Sequence, residues 1–425
     1  MSQTTESFVP ARRDPYSALR IRDFRLLILG RLIAQIGEAM VSVGVGWELY
    51  RRTSDPLALG LVGLVQVIPV MLLALPGGYA VDRFDRRRII LISQAFLVVC
   101  SLALLMISVS EGSLTVLYAM LALIGAARAF NNPAESAFTP LTVPPSEFMN
   151  AVTWSTSVWQ VSAIVGPALG GVLIALTGGA AAVYLVNAIA GLALIGAVLL
   201  IHARHTEFAS PDEPPLQALR GGIHFLRDTP IILAAISLDM FAVLFGGAVF
   251  LLPVFATDIL KVDATGLGIL RAAPSIGALI MAMIVARRPP FQNAGRAMLL
   301  AVAGFGAATV AFGLSTSFWL SVFLLALTGA LDNISVVVRH TLIMTFTPDT
   351  MRGRVASVNS VFIGTSNELG GFESGAAAAL IGPVGAVVFG GIGTILTVAL
   401  IARLSPGLRR LKRIAHGAES SQTAL

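Results

Sequence analysis

Four carboxylates in this chain sit where water should be scarce. Glu38, Asp239, Asp332 and Glu368 lie inside long apolar runs, and so do Arg31, Arg128, Arg271 and Arg339. Ionisable groups in hydrocarbon are costly and face a protein interior or a watery cavity. The chemistry open to such a set is proton exchange. Low dielectric favours the neutral carboxyl and a nearby arginine favours the carboxylate. A carboxylate that moves between those surroundings therefore picks up and drops a proton. Glu38 and Asp239 are the first candidates for coupling or substrate contact, followed by Asp332 and Glu368. Arg31 shares nearly one helix face with Glu38, seven residues away, and Arg339 stands in the same relation to Asp332. The plainer reading of each is a static pair that orders helices, or a rim charge reaching water. Glu48 and Glu373 are placed to line an outer vestibule.

These residues are held by apolar segments that recur along nearly the whole chain. Of 425 residues, 56% are hydrophobic and 12% charged, against about 25% charged in a soluble domain. A span needs roughly 20 apolar residues to cross about 30 Å of hydrocarbon. Spans are expected at 23–49, 57–81, 88–109, 114–138, 149–176 and 181–202. A second set follows at 230–257, 264–287, 296–314, 318–344, 353–380 and 383–403. The fold expected is an all-α polytopic membrane protein with twelve transmembrane helices in two six-helix bundles. Residues 21–202 form the first bundle and 230–403 the second. The linker 203–229, with Arg204, His205, Pro211, Pro214 and Pro215, should end in a surface helix over 216–228. Segments 1–20 and 404–425 flank the bundles. The alternating rhythm of an outer-membrane barrel is absent.

Arginines set the expected orientation. Arg12, Arg13, Arg20, Arg22 and Arg25 precede the first span, and Arg83, Arg86, Arg87 and Arg88 fill the second joint. Arg204, Arg220 and Arg227, then Arg287, Arg288 and Arg296, then Arg352 and Arg354, and finally Arg403, Arg409, Arg410, Lys412 and Arg413 fall on the same side of a twelve-span chain. That side is expected to be cytoplasmic, with both termini. The net charge of +6 is thus spent on topology, and no nucleic-acid partner is expected. The polar N-terminus does not read as a signal peptide.

A repeat links the halves. Gly63-Leu64-Val65-Gln66-Val67-Ile68-Pro69 matches Gly268-Ile269-Leu270-Arg271-Ala272-Ala273-Pro274. Gln66 and Arg271 are counterparts, and both are expected to face a central cavity. Parallel repeats about an axis normal to the membrane are one transporter plan.

The joint Gly77-Gly78-Tyr79-Ala80-Val81-Asp82-Arg83-Phe84-Asp85-Arg86-Arg87-Arg88 resembles the signature loop of the major facilitator superfamily. That resemblance implies a major facilitator fold, rocking bundles, and a gating network on Asp82, Arg83 and Arg87 that latches the outward-facing state. Gly166-Pro167-Ala168-Leu169-Gly170-Gly171 resembles the glycine-proline signature of superfamily exporters, although the spaced glycines upstream are missing. Gly166, Pro167, Gly170 and Gly171 are also what a kink and a tight helix interface need. Arg128 resembles the fourth-span arginine of superfamily proton antiporters, with Asn132 where a glycine is expected. Spans 1 and 2, Ala126–Ala134 and Met351–Val355 resemble the enterobactin-exporter branch, also called transmembrane secretion effectors.

The resemblance implies proton-coupled export of a small organic solute, such as a siderophore or amphipathic metabolite. A broad hydrophobic-drug exporter, an uncoupled facilitator or importer, and a lipid-handling or signalling protein are the alternatives. Partners expected are the solute, protons and membrane lipid. No oligomer is required, and a periplasmic or outer-membrane partner stays open. No glycine-rich loop ends in Lys-Ser or Lys-Thr, so no ATPase, enzyme activity or cofactor is expected. No metal site is expected either, since the chain has five histidines and its tail only His416. Trp154 or Trp159 could stack on an aromatic solute, and Phe241, Phe245 and Phe250 share that ambiguity. Cys100 reads as a packed small hydrophobe.

Overall fold

The computed structural model describes residues 14–202, 215–289 and 291–412. Arg12, Arg13, Arg204, His205, Pro211, Pro214, Arg413 and His416 lie outside the described residues, and no side chain is described at Pro215. Eleven helices among the described residues are long and apolar enough to cross a membrane. The chain is an all-α polytopic membrane protein.

In the first half, α1 covers Arg22–Thr53, α2 Pro56–Arg83, α3 Arg86–Val109, α4 Leu114–Phe138, α5 Phe148–Thr177 and α6 Ala181–Leu200. Short polar residues set the tight turns. Asp55, Asp85 and Ser113 each accept a hydrogen bond from a backbone N–H in the first turn of α2, α3 and α4. These caps satisfy donors that a helix start leaves unpaired. Asp85, inside the signature joint, is therefore a helix cap. Gly178, at φ 76°, closes α5 in the left-handed region.

A surface helix, α7 (Pro215–Asp228), leads into α8 (Pro230–Phe245). The single span expected over 230–257 is not regular. After Phe245 the chain turns through 3₁₀ geometry at Gly247–Leu251, a short α9 (Leu252–Val254) and a π turn at Phe255–Ile259. Gly246, Gly247 and Pro253 explain the break, since glycine is permissive and proline removes a donor. Then follow α10 (Ala264–Ala286), α11 (Ala294–Leu314), α12 (Phe318–Phe346), α13 (Asp349–Leu404) and a short α14 (Pro406–Arg410). At 56 residues α13 would be about 84 Å long if straight, far more than a bilayer. It breaks at Gly382, whose φ of 78° and ψ of 160° no helix contains.

Within the first half, α1 packs on α5 and α6, α3 on α4 and α6, and α2 on α4. In the second, α10 packs on α12, α11 on α12 and α13, and α8 on α13. Two extensive contacts join the halves, α2 with α13 and α5 with α10. The repeated heptapeptides in α2 and α10 lie at these crossings. A Cβ on Gly63 would stand 2.7 Å from the Glu368 carbonyl oxygen, and one on Gly268 2.5 Å from that of Pro167.

The two ends of the molecule are packed differently. The end carrying Arg22, Arg86 and Arg354 is arginine-rich, and the far end carries Tyr50, Gly178 and Asp258. At the far end one cluster spans both halves, from Met40, Leu49, Tyr184 and Cys100 to Leu252, Phe255, Leu267 and Phe312. Tyr50 donates to Asp258 across the same seam. At the arginine-rich end the apolar clusters each stay within one half. Between helices in lipid the attraction is close packing rather than exclusion of water. A continuous packed seam at one end only therefore means a molecule closed there and parted at the other.

Candidate functional site

A cavity lies between the halves beneath the far-end seam. It is lined by Arg31, Glu38, Arg128 and Glu135 from the first half and by Arg271 and Glu368 from the second. Gln66 lines it too, so both repeat counterparts reach it. An antechamber shares Arg31, Gln35, Glu38, Asn132 and Glu135 and continues past Ser136 and Ser155 toward the arginine-rich end. The inner chamber holds about 240 Å³ and the antechamber about 600 Å³. The antechamber alone falls within the ~300–1,000 Å³ of small-molecule sites, and the inner chamber extends it toward the charges.

The charges do not pair along α1 as their spacing suggested. Arg31 Nε lies 3.0 Å from Glu135 on α4, and its Nη1 donates to Thr139 at 2.8 Å. Asn131 donates to the other Glu135 oxygen, and Ser93 donates to Asn131. Glu38 instead meets Arg128 on α4, at 2.6 Å. Arg128 also donates to Gln66 Oε1 at 2.8 Å, and its charge acts on Glu368 across the seam between halves. One guanidinium therefore serves carboxylates from α1 and α13. The six cavity charges balance, with three arginines against three carboxylates.

Asp239 is elsewhere. It is buried in an ion pair with Arg339, both side chains about 6% exposed, between α8 and α12. The spacing of Asp332 and Arg339 on one helix face does not make them partners. Asp332 lines a separate small cavity of the second half with Thr328, Phe250 and Asn367. Removing one member of a buried pair strands a charge, at a cost of about 3–5 kcal/mol. Arg339→Met is expected to destabilise by that order in a thermal or denaturant unfolding series. Asp239→Leu combined with Arg339→Met should recover most of the loss. A double variant no more stable than Arg339→Met would contradict the brace and leave Asp239 a coupling group.

The other expected residues fall as follows. Glu48 is buried, held by Arg52 at 3.2 Å and the Tyr184 hydroxyl at 2.9 Å, so it does not line an open vestibule. Trp154 donates to the Pro15 carbonyl, packs near Tyr16 and lines neither chamber. Trp159 lines the antechamber and Phe250 the inner chamber. Cys100 is buried in the far-end cluster.

At the arginine-rich end, Asp82 is half-buried and forms no ion pair with any described residue. Arg83 donates to the Tyr79 hydroxyl, and Arg87 to the Leu199 carbonyl at 2.7 Å, tying α3 to α6. No latch built on Asp82 holds the halves together in this conformation. The glycine-proline segment packs at the far end of α5. Gly166 and Gly170 face α1 at Ala39 and Met40, while Gly171 faces α10 at Ala264 and Gly268.

Residues the sequence reading passed over complete the lining. Gln35, Gln94 and Asn187 face the chamber, and Asn187 donates to Ser101. Polar amides inside apolar runs were the available signal, since each needs a partner or water.

A two-half helical bundle around a charged cavity open at one end is the architecture of a secondary transporter. A family model for transmembrane secretion effectors matches residues 13–421, and the chain belongs to that family, within the major facilitator superfamily. It is 28% identical over 400 residues to an enterobactin exporter of Citrobacter koseri, covering 92% of this chain and 93% of that protein. An enterobactin exporter of Escherichia coli O81 is 27% identical over the same shares. Among solved structures, a bacterial homologue of the human lysosomal transporter Spinster, inward-facing and occupied, superposes with a TM-score of 0.73 at 14% identity, covering 93% of this chain and 99% of that one. A bacterial homologue of the iron transporter ferroportin, inward-facing, gives 0.69 at 18% identity, covering 93% and 100%. These two share the fold.

Proposed function

We propose that this protein is a proton-coupled exporter of a small organic solute, with a siderophore or amphipathic metabolite as cargo. The observation that carries the reading is the balanced six-charge cavity, shared by both halves, below a closed far end. The names of the relatives support export and the siderophore class. On this reading the chain forms twelve spans, the last two being the arms of α13 on either side of Gly382. Residues 21–202 and 230–403 are two six-helix bundles joined by 203–229. Segments 1–20 and 404–425, and both termini, are cytoplasmic in an inner membrane. One copy contains the whole cavity, so no oligomer is required. A periplasmic or outer-membrane partner would act only after release.

The solute enters from the arginine-rich side and settles among the charges. Rocking of the bundles parts the far-end seam and closes the cytoplasmic side, where Asp82, Arg83 and Arg87 supply the latch. The rocking changes which carboxylate Arg128 neutralises. The one it leaves is then favoured in its protonated form. A proton from outside binds, the solute departs, and the protonated protein returns. Glu38, bound to Arg128 and open to the antechamber, and Glu368, a cavity carboxylate that Arg128 does not bind in this conformation, are the two coupling groups this scheme requires.

Inverted vesicles test this. A catecholate siderophore and a panel of cationic dyes are offered with and without a proton gradient. Gradient-driven accumulation of the siderophore, lost in Glu38→Gln, is expected. Flux indifferent to the gradient and to Glu38→Gln would make the protein an uncoupled facilitator. No flux of any probe would favour a lipid-handling or signalling role.

A further inference from the structure

Two of the six cavity charges have no close partner. Arg271, on α10, makes one long hydrogen bond, 3.3 Å to the Val249 carbonyl, and no salt bridge with any described residue. Glu368, on α13, has neither a side-chain hydrogen bond nor a salt bridge among the described residues, although both Arg128 and Arg271 act on its charge. Its carboxylate lies against α2 at Gly63, where a Cβ would stand 3.2 Å from Oε2. By contrast Arg31 and Glu135, and Arg128 and Glu38, are already joined. The inner chamber thus offers one unclaimed strong donor and one unclaimed strong acceptor. Gln35 adds a second acceptor, its Oε1 buried with no hydrogen-bond partner.

The surroundings of Glu368 bear on what it can bind. Arg128 faces it from α4 and Arg271 from α10, while Glu38 on α1 is occupied by Arg128. The stretch of α2 against it carries Gln66 and no charge, and the 247–251 segment carries none. The only ionisable residue of α11 is Arg296, at the arginine-rich end. Asp239 of α8 is paired with Arg339, and Asp332 of α12 lines the neighbouring cavity. The α7 helix meets α13 near Arg354, at the arginine-rich end.

We infer that Arg271 and Glu368 form the solute-recognition pair, and that the solute is taken up as an uncharged molecule whose hydroxyl donates to Glu368 while a neighbouring oxygen accepts from Arg271. The inference rests on the proton-exchange reading above. Exchange requires that proton and solute compete. A hydroxyl donor and a proton do compete for one carboxylate, because the protonated acid loses its charged acceptor. An anion seated on Arg271 would instead favour the proton on Glu368, so the two would travel together. A cation would compete, but it would meet the unpaired Arg271 guanidinium in a cavity whose charges already balance. A phenol-type diol or similar vicinal hydroxyl group meets both requirements. A charge-assisted hydrogen bond is roughly twice as strong as a neutral one, which makes this contact the discriminating one.

Equilibrium binding to the purified full chain in detergent micelles, with no gradient present, tests it. The probes are 2,3-dihydroxybenzamide, its dimethoxy ether, and phenyltrimethylammonium. The dihydroxybenzamide is expected to bind, to bind more weakly as pH falls, and to outcompete both other probes. Glu368→Gln should bind about tenfold more weakly at neutral pH and show a flat pH profile, while Glu368→Asp keeps the slope. Arg271→Gln should also lose about tenfold but keep the pH dependence, since Glu368 remains. Thermal unfolding of each variant checks that it is folded. Tighter binding of the cation or the ether, or an unchanged pH slope in folded Glu368→Gln, would overturn the inference, as would failure of the dihydroxybenzamide to bind folded wild-type protein. These outcomes are separate from gradient-driven uptake in vesicles, which can fail or succeed whatever the equilibrium binding shows.

Discussion

Arg128→Met is expected to cut proton-driven transport by about one to two orders of magnitude while leaving a folded protein in the membrane. The guanidinium holds Glu38 at 2.6 Å and Gln66 at 2.8 Å, and its charge also acts on Glu368. No other described cation stands within salt-bridge distance of Glu38. Methionine keeps the bulk and the helix propensity but removes the charge that two carboxylates share. Glu38 is about half exposed to the antechamber, so its loss of a partner is softened by water and should cost little stability. Function has no such cushion. Without Arg128 the cavity loses the one cation whose movement between carboxylates the exchange scheme uses. Losing interactions with a charged group worth ~1.5–3 kcal/mol corresponds to about a 10- to 150-fold fall in gradient-driven uptake. Arg128→Lys should recover part of it, because a single point charge cannot bridge Glu38 and Gln66 as the fork does. Uptake by Arg128→Met within twofold of wild type would remove Arg128 from the mechanism.

Gly171→Val should have an equally large effect for a steric reason. A Cβ at Gly171 would lie 2.3 Å from the Ala264 carbonyl oxygen and 3.0 Å from the Gly268 Cα. Those are backbone atoms of α10, and they cannot step aside as a side chain can. The α5–α10 crossing is part of the far-end closure, so the substitution opposes the closed state specifically. Overpacking costs about 1–3 kcal/mol, a shift of roughly 5- to 150-fold in the closed-to-open ratio. The expected readout is labelling of Val45→Cys, buried in the far-end cluster, by an impermeant maleimide added from the far side. In a Cys100→Ser background its rate should rise about tenfold or more with Gly171→Val. Gly179→Ala, whose Cβ meets nothing within 4 Å, is the control and should leave the rate unchanged.

What the sequence could and could not reveal divides along physical lines. Spans are local: about 20 apolar residues between caps and breakers are enough. The 114–138 expectation coincides with α4, and the expected surface helix lies within Pro215–Asp228. Gln66 and Arg271 were legible as cavity residues because a repeat carries its orientation with it. Charge partners were not legible. Shared faces on α1 and α12 suggested Arg31 with Glu38 and Arg339 with Asp332. Long side chains instead reached across to other helices, where Glu135, Arg128 and Asp239 lie 104, 90 and 100 residues away along the chain. Seven residues is two turns, about 10 Å along the axis, farther apart than an adjacent helix surface. The irregular stretch after Phe245 also escaped notice. Its apolar composition matches a helix, and only Gly246, Gly247 and Pro253 hint that the hydrogen-bond ladder changes there.

The most direct test of proton-coupled export runs the coupling backwards. Purified protein is reconstituted into sealed liposomes with no gradient of protons and no other transporter. A solute gradient is then imposed with the catecholate siderophore, and the internal pH is followed with a trapped indicator dye. Exchange predicts proton flow opposite to the solute, present with wild type and lost with Glu38→Gln. Solute movement with no change in internal pH would contradict the account and leave the balanced cavity a passive route.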